Sequence, residues 1–87
     1  MYYVYVICDS KGKPYIGYTD DLEKRLESHN KGLNKSTKNR EWELVYYEAY
    51  KSKQDAMQRE KRLKRSGQAR RWLKDRIKTS ITLGRDR

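Results

Sequence analysis

Tyr2-Tyr3-Val4-Tyr5-Val6-Ile7-Cys8, Asp9-Ser10-Lys11-Gly12-Lys13 and Pro14-Tyr15-Ile16-Gly17-Tyr18 follow one another without interruption. The first run is β-branched and aromatic throughout, the composition of a strand covered on both faces. The second is a turn by its Asp, Ser and Gly content, and the third resumes the strand pattern. Pro14 stands at the start of its strand, where a missing N–H does least harm. An antiparallel hairpin is therefore expected. Thr19-Asp20-Asp21-Leu22-Glu23-Lys24-Arg25-Leu26-Glu27-Ser28-His29-Asn30 comes next, with Asp20 as the expected cap, Glu23 completing a capping box, and Leu22 and Leu26 marking the apolar stripe of a short helix.

Beyond Asn30 the pattern loosens and then returns. Residues 31–41 are polar and loop-like, a place for a mobile segment that contacts substrate. Trp42–Tyr50 reads as a third strand. Ser52 and Asp55 open a second helix that reaches about Arg65. Ser66-Gly67 breaks it, and Ala69, Trp72, Leu73 and Ile77 mark a third amphipathic helix. The expectation is an α+β fold of order ββαβαα, a small, three-stranded, mainly antiparallel sheet flanked by helices. Residues 1–78 form one domain on this reading, and residues 79–87 a disordered basic tail.

Eighty-seven residues leave no room for a second self-sufficient core. Twenty-two Lys and Arg against twelve Asp and Glu give a net charge of +10. Residues 1–50 hold eight basic and eight acidic groups, so the whole excess lies in residues 51–87. A basic face rather than a uniformly basic protein follows, with nucleic acid favoured over an anionic membrane as its partner. A single cysteine, Cys8, excludes an internal disulfide and a cysteine-rich zinc site; within its apolar run it reads as a small packed hydrophobe. No run is long enough to span a membrane and no basic leader precedes Met1–Cys8, so the expected location is cytoplasmic.

Three polar residues fall where apolar ones belong. Arg25 and His29 lie one helical turn apart, beside or within the stripe marked by Leu22 and Leu26. Glu60 sits inside the apolar arc set by Ala56 and Leu63 on the second helix. An inward carboxylate needs a cation or a hydrogen-bonding network. Pairing with Arg25 satisfies that need structurally; a divalent metal ion completed by water and phosphate oxygens satisfies it functionally.

The same residues occupy the positions of a known motif. Tyr3-Val4-Tyr5 and, ten residues after Tyr5, Tyr15-Ile16-Gly17 resemble the paired triplets that name the GIY-YIG nuclease superfamily. Gly17 through Asn30 resembles that family's arginine helix, and Ala56-Met57-Gln58-Arg59-Glu60 resembles the segment bearing its glutamate. The likeness spans roughly residues 2–65 and is nearest to the small stand-alone members. Tyr3 stands where the first triplet has Gly, and Arg71-Trp72-Leu73 lacks the Asn that many catalytic members carry there.

The resemblance implies a metal-dependent DNA endonuclease that hydrolyses phosphodiester bonds, structure-selective or weakly sequence-specific, in repair or recombination. Glu60 would be the sole protein ligand of one Mg²⁺ or Mn²⁺. Arg25 would neutralise charge on the phosphoryl oxygens. Tyr5 would accept the proton of the attacking water, its hydroxyl made more acidic by the metal and Arg25. His29 and Tyr15 would orient Tyr5, water and phosphate, and Gly17 would let backbone or substrate approach the sheet. Lys61, Arg62, Lys64, Arg65, Arg70, Arg71 and Lys74 would track the phosphate backbone. A protein partner would supply target recognition. The alternative is a non-catalytic module on the same fold that binds DNA or structured RNA.

Overall fold

The computed structural model describes residues 1–35 and 37–85. Strands β1 (Tyr2–Cys8), β2 (Pro14–Thr19) and β3 (Glu43–Tyr50) form one antiparallel sheet in the order β2-β1-β3. Helices α1 (Leu22–Asn30), α2 (Lys53–Arg65), α3 (Gly67–Arg76) and α4 (Lys78–Arg85) complete the α+β fold. The expected elements are all present, in the expected order.

Strand alternation divides the core into two. Val4 and Val6 point to one face of β1 and pack with Ala56 and Leu63 of α2, Ala69 and Leu73 of α3, and Ile77. Tyr5 and Ile7 point to the other, where Trp42, Leu22 and Leu26 cover them. The central strand is thus apolar on both faces because helices lie on both. A bulge in β3 opposite Val6 and Ile7 keeps Leu44 on the α1 face and Tyr46 on the other.

Two boundaries differ from expectation. The cap of α1 is Asp21, whose side chain accepts from the Lys24 N–H at 3.1 Å, instead of Asp20, which is exposed. The Thr19 hydroxyl bonds both backbone groups of Asp21, which extends β2 by one residue and moves the helix start. The disordered tail expected over 79–87 is a helix as far as Arg85; residues 86 and 87 lie outside the described residues. Ile81, partly buried against the Val4–Leu73 cluster, supplies the anchor that holds α4. Cys8 is buried, and burial raises its thiol pKa, so it stays a protonated core residue.

Candidate active site

Tyr5, the central residue of the central strand, is built into the α1 face of the sheet. Its ring lies over Gly17, its antiparallel partner on β2: a Cβ added at Gly17 would stand 2.3 Å from the Tyr5 hydroxyl oxygen. The space at Gly17, expected to admit backbone or substrate, is occupied by this phenol.

The Tyr5 hydroxyl is 2.8 Å from His29 Nε2 and accepts from Arg25 Nε at 3.2 Å. Both partners come from α1, four residues apart, the spacing that puts two side chains on one helix face. His29 is fully buried, and its Nδ1 lies 2.7 Å from the hydroxyl of Thr37, also fully buried. The Thr37 hydroxyl proton is directed at the Asn34 carbonyl, 3.4 Å away. Its oxygen therefore accepts from Nδ1–H, which leaves Nε2 as the lone-pair nitrogen facing Tyr5. The Tyr5 hydroxyl donates to it. Burial, with the Arg25 charge adding to it, pushes the His29 pKa below its ordinary 6.5, so the ring is neutral at neutral pH.

Tyr5 is shifted in the opposite direction from His29. Burial raises its pKa, and the opposing hydrogen bond and charge of Arg25 do not overcome that. Arg25 alone does not make this phenol acidic; the neutral imidazole is what can take its proton. Arg25 is held firmly cationic by the same hydrogen bond, and its terminal nitrogens have no protein partner among the described residues.

Tyr15, from β2, sets its ring edge-on to His29 with centroids 5.1 Å apart, and lies 6.2 Å from Trp42 in the same manner. The Lys64 ammonium stands 5.6 Å from the Tyr15 ring centroid and 3.3 Å from a Glu60 oxygen. Glu60 thus faces the β2 edge of the sheet, its side chain 24% exposed, paired with Lys64 instead of Arg25. Its negative charge is felt at both Tyr5 and Arg25. Tyr5, Tyr15, Arg25 and His29 meet directly, and Glu60 borders them through Lys64.

Among the described residues no three His, Cys, Asp or Glu side chains cluster as a metal cage. One partly buried carboxylate, bordered by Lys64 and acting electrostatically on an arginine with free terminal nitrogens, instead suits a hard cation that keeps most of its waters and takes phosphate oxygens, the habit of Mg²⁺. The donor set fits that ion.

The loop before β3 is tied down at residues that the motif alone does not single out. Asn30 accepts from the Trp42 N–H at 2.7 Å and donates to its carbonyl at 3.1 Å, and the Trp42 indole donates to the Thr37 carbonyl at 2.9 Å. Thr37, expected in a mobile loop, is held under the site. A buried neutral histidine needs a partner on each ring nitrogen and Tyr5 serves only one, but nothing in the sequence says which residue supplies the second.

The profile of the GIY-YIG catalytic domain matches residues 1–74. The chain belongs to the GIY-YIG nuclease family. Among curated relatives, a UPF0213 protein of Bacillus pumilus (strain SAFR-032) is 45% identical over 65 residues, which cover 72% of this chain and 66% of the relative. A UPF0213 protein of Staphylococcus aureus (strain Mu3) is 42% identical over 65 residues, covering 72% and 79%. That name states no activity. No solved structure matches the chain. Tyr5, Tyr15, Gly17, Arg25, His29 and Glu60 all lie within the matched GIY-YIG region, as does Thr37.

The basic residues divide by environment. Lys61, Arg62, Lys64, Arg65, Arg71 and Lys74 are exposed. Arg70 is half-buried and donates from Nη1 to the carbonyls of Leu63 and Lys64, closing the C-terminus of α2. No described helix is long and apolar enough to cross a membrane.

Proposed function

We propose that this GIY-YIG chain is a cytoplasmic, divalent-metal-dependent DNA endonuclease that hydrolyses phosphodiester bonds in branched, flapped or single-stranded substrates, as in repair or recombination. The observation that carries the reading is the Tyr5 hydroxyl, held between a neutral imidazole at 2.8 Å and a guanidinium at 3.2 Å. A neutral base on one side and a cation on the other are the partners that a proton-relaying phenol beside a phosphate would use.

Glu60 would hold the Mg²⁺ or Mn²⁺, which when bound supplies charge stabilisation at the scissile phosphate and its leaving oxygen. Arg25 keeps its Nε on Tyr5 and offers its terminal nitrogens to phosphoryl oxygens, a two-point grip that Lys cannot copy. Tyr5 receives the proton of the attacking water as it passes its own to His29 Nε2; Thr37 keeps that nitrogen free to take it. Tyr15 walls the ring of His29 and borders the path to Glu60. The exposed cations of α2 and α3 supply affinity through backbone phosphates, with little choice of sequence.

The test is cleavage of labelled flapped, branched and single-stranded DNA by the purified chain with Mg²⁺ or Mn²⁺. Activity is expected in the wild type and its loss in Glu60→Ala and Arg25→Ala. The Glu60–Lys64 ion pair favours the second reading, a binding module with a self-neutralised carboxylate. Bound but uncut substrate in both metals would establish it.

A further inference from the structure

A groove of about 470 Å³ opens beside the site, between the first half of β2, the end of α2, and α3. Its floor is apolar, formed by Ile16, Leu73 and Ile77 among others. Its walls carry four cations: Lys13, Lys64, Arg70 and Lys74. No acidic side chain lines it among the described residues. Two of its residues belong also to the candidate site: Tyr15, packed against His29, and Lys64, paired with Glu60. The groove is thus continuous with the place where the reacting phosphate would lie.

We propose that this groove receives an unpaired stretch of the DNA strand being cut, adjacent to the reacting phosphate; the assignment rests on the nuclease reading above. Four cations with no acidic side chain among the described lining favour a polyanion, and two of them, Lys13 and Lys74, are not already held by Glu60 or by the end of α2. The apolar floor distinguishes among polyanions. A duplex turns its bases inward and presents phosphate and sugar, which give such a floor nothing to bury. An unpaired nucleotide presents a base face to the floor and its phosphate to the rim, the division of labour by which single strands are bound. Among the described residues no neutral polar side chain besides the Tyr15 hydroxyl lines the groove to read a 2′-hydroxyl, which favours DNA over RNA. Arg70 is committed to the end of α2, so Lys13 and Lys74, both exposed, are the cations free to take phosphates there. Lys13 belongs to the hairpin, outside the basic second half of the sequence.

Binding is measured without divalent metal, so that cleavage does not enter, using labelled oligothymidine and a blunt duplex with the full chain. Lys13→Ala/Lys74→Ala is expected to weaken oligothymidine binding by about tenfold and to make its log K against log salt slope shallower by roughly 1.4, two contacts of ~0.7 each. Duplex affinity should fall by clearly less than single-strand affinity, and Lys13→Arg/Lys74→Arg should restore the single-strand value. Wild-type thermal unfolding in both variants certifies the fold. Unchanged oligothymidine affinity, an equal loss on duplex, or no binding by the wild type overturns the proposal. So does an oligouridine that displaces oligothymidine more effectively than oligothymidine itself. If the double variant behaves as expected while the Glu60→Ala and cleavage results fail, the groove stands and the nuclease reading falls.

Discussion

Gly17 and Thr37 show how much one side chain decides. Gly17 lies in ordinary strand conformation, so its role is spatial: a methyl there would meet the Tyr5 oxygen at 2.3 Å and Cζ at 2.4 Å. Tyr5 is packed under α1 and cannot step aside freely. Gly17→Ala should cost about 1–3 kcal/mol by urea denaturation and should remove most cleavage by tilting the phenol off His29. Thr37 acts through another residue. Thr37→Val keeps the shape but leaves a buried Nδ1–H unpaired, a loss of about 1–3 kcal/mol, and frees the ring to turn its other nitrogen to Tyr5. Turnover should fall by about tenfold or more with little change in the substrate concentration for half-maximal rate, and Thr37→Ser should recover most of it; an equal effect of both substitutions would show packing alone. The sign of the pH effect follows from His29. Its pKa is below 6.5 when folded and near 6.5 when unfolded, so the unfolded chain binds more protons between those values. Stability should be level above 6.5 and decline as pH falls beneath it, and His29→Gln should flatten that decline in the urea midpoint. Arg25, His29 and Glu60 were legible because each breaks an apolar stripe. Thr37 was not, because its bond to His29 crosses an irregular loop where no periodicity marks the inward residue.

Helix α2 carries the site's carboxylate, and the residue before it fixes how that helix lies. Arg59 makes two bonds of 2.9 Å to Glu48 of β3, which also accepts from Tyr46 at 2.6 Å and Tyr50 at 2.5 Å. With one flank of α2 latched to β3, Glu60 is turned to the opposite sheet edge, beside Lys64 and Tyr15. Burial pushes the Glu48 carboxyl up, yet the Arg59 and phenol hydrogen bonds outweigh it and hold it below the usual range. Burial and the same carboxylate push Tyr46 and Tyr50 each up to about 12. Glu48→Gln should cost about 2 kcal/mol and should bring two phenols back part of the way toward 10.0 in a titration followed by phenolate absorbance. In the wild type these raised phenols contribute stability fully below 10.0, and that contribution disappears as pH climbs toward 12. Two phenols titrating unchanged in the variant would remove this latch from the account. The elements themselves were readable wherever apolar spacing was strong, as in β1, α2 and α3. α4 was not: Lys78-Thr79-Ser80-Ile81-Thr82 has weak helix propensity and one buried anchor, so tertiary contact, not local preference, makes it helical.

At the scale of the molecule the governing quantity is charge that has no internal partner. Twenty-two cations face twelve anions, so at least ten stay unmatched however the pairs are drawn. The molecule measures 32 × 27 × 19 Å. At ~0.01 M ionic strength the screening length is about 30 Å, and every unmatched cation then repels every other across the whole fold. At ~0.15 M it is about 8 Å, and only near neighbours interact. The ion pairs Glu27–Lys31, Asp9–Arg40, Glu48–Arg59 and Glu60–Lys64 are at least partly exposed and each is worth little, so what salt takes from them is small by comparison. Added salt should therefore act with opposite signs on the two properties that depend on this charge. The midpoint of thermal unfolding should rise by several degrees over that range, each kcal/mol of relieved repulsion being worth roughly 4–8 °C in a chain of this size. Nucleic-acid affinity should fall steeply over the same range, because the cations that repel one another are those that release counterions from the phosphates. Calorimetry and a binding titration across one salt series read both. A midpoint that falls with salt would mean that the net positive charge does not govern stability. A flat affinity would mean that the basic half of the chain meets no phosphate.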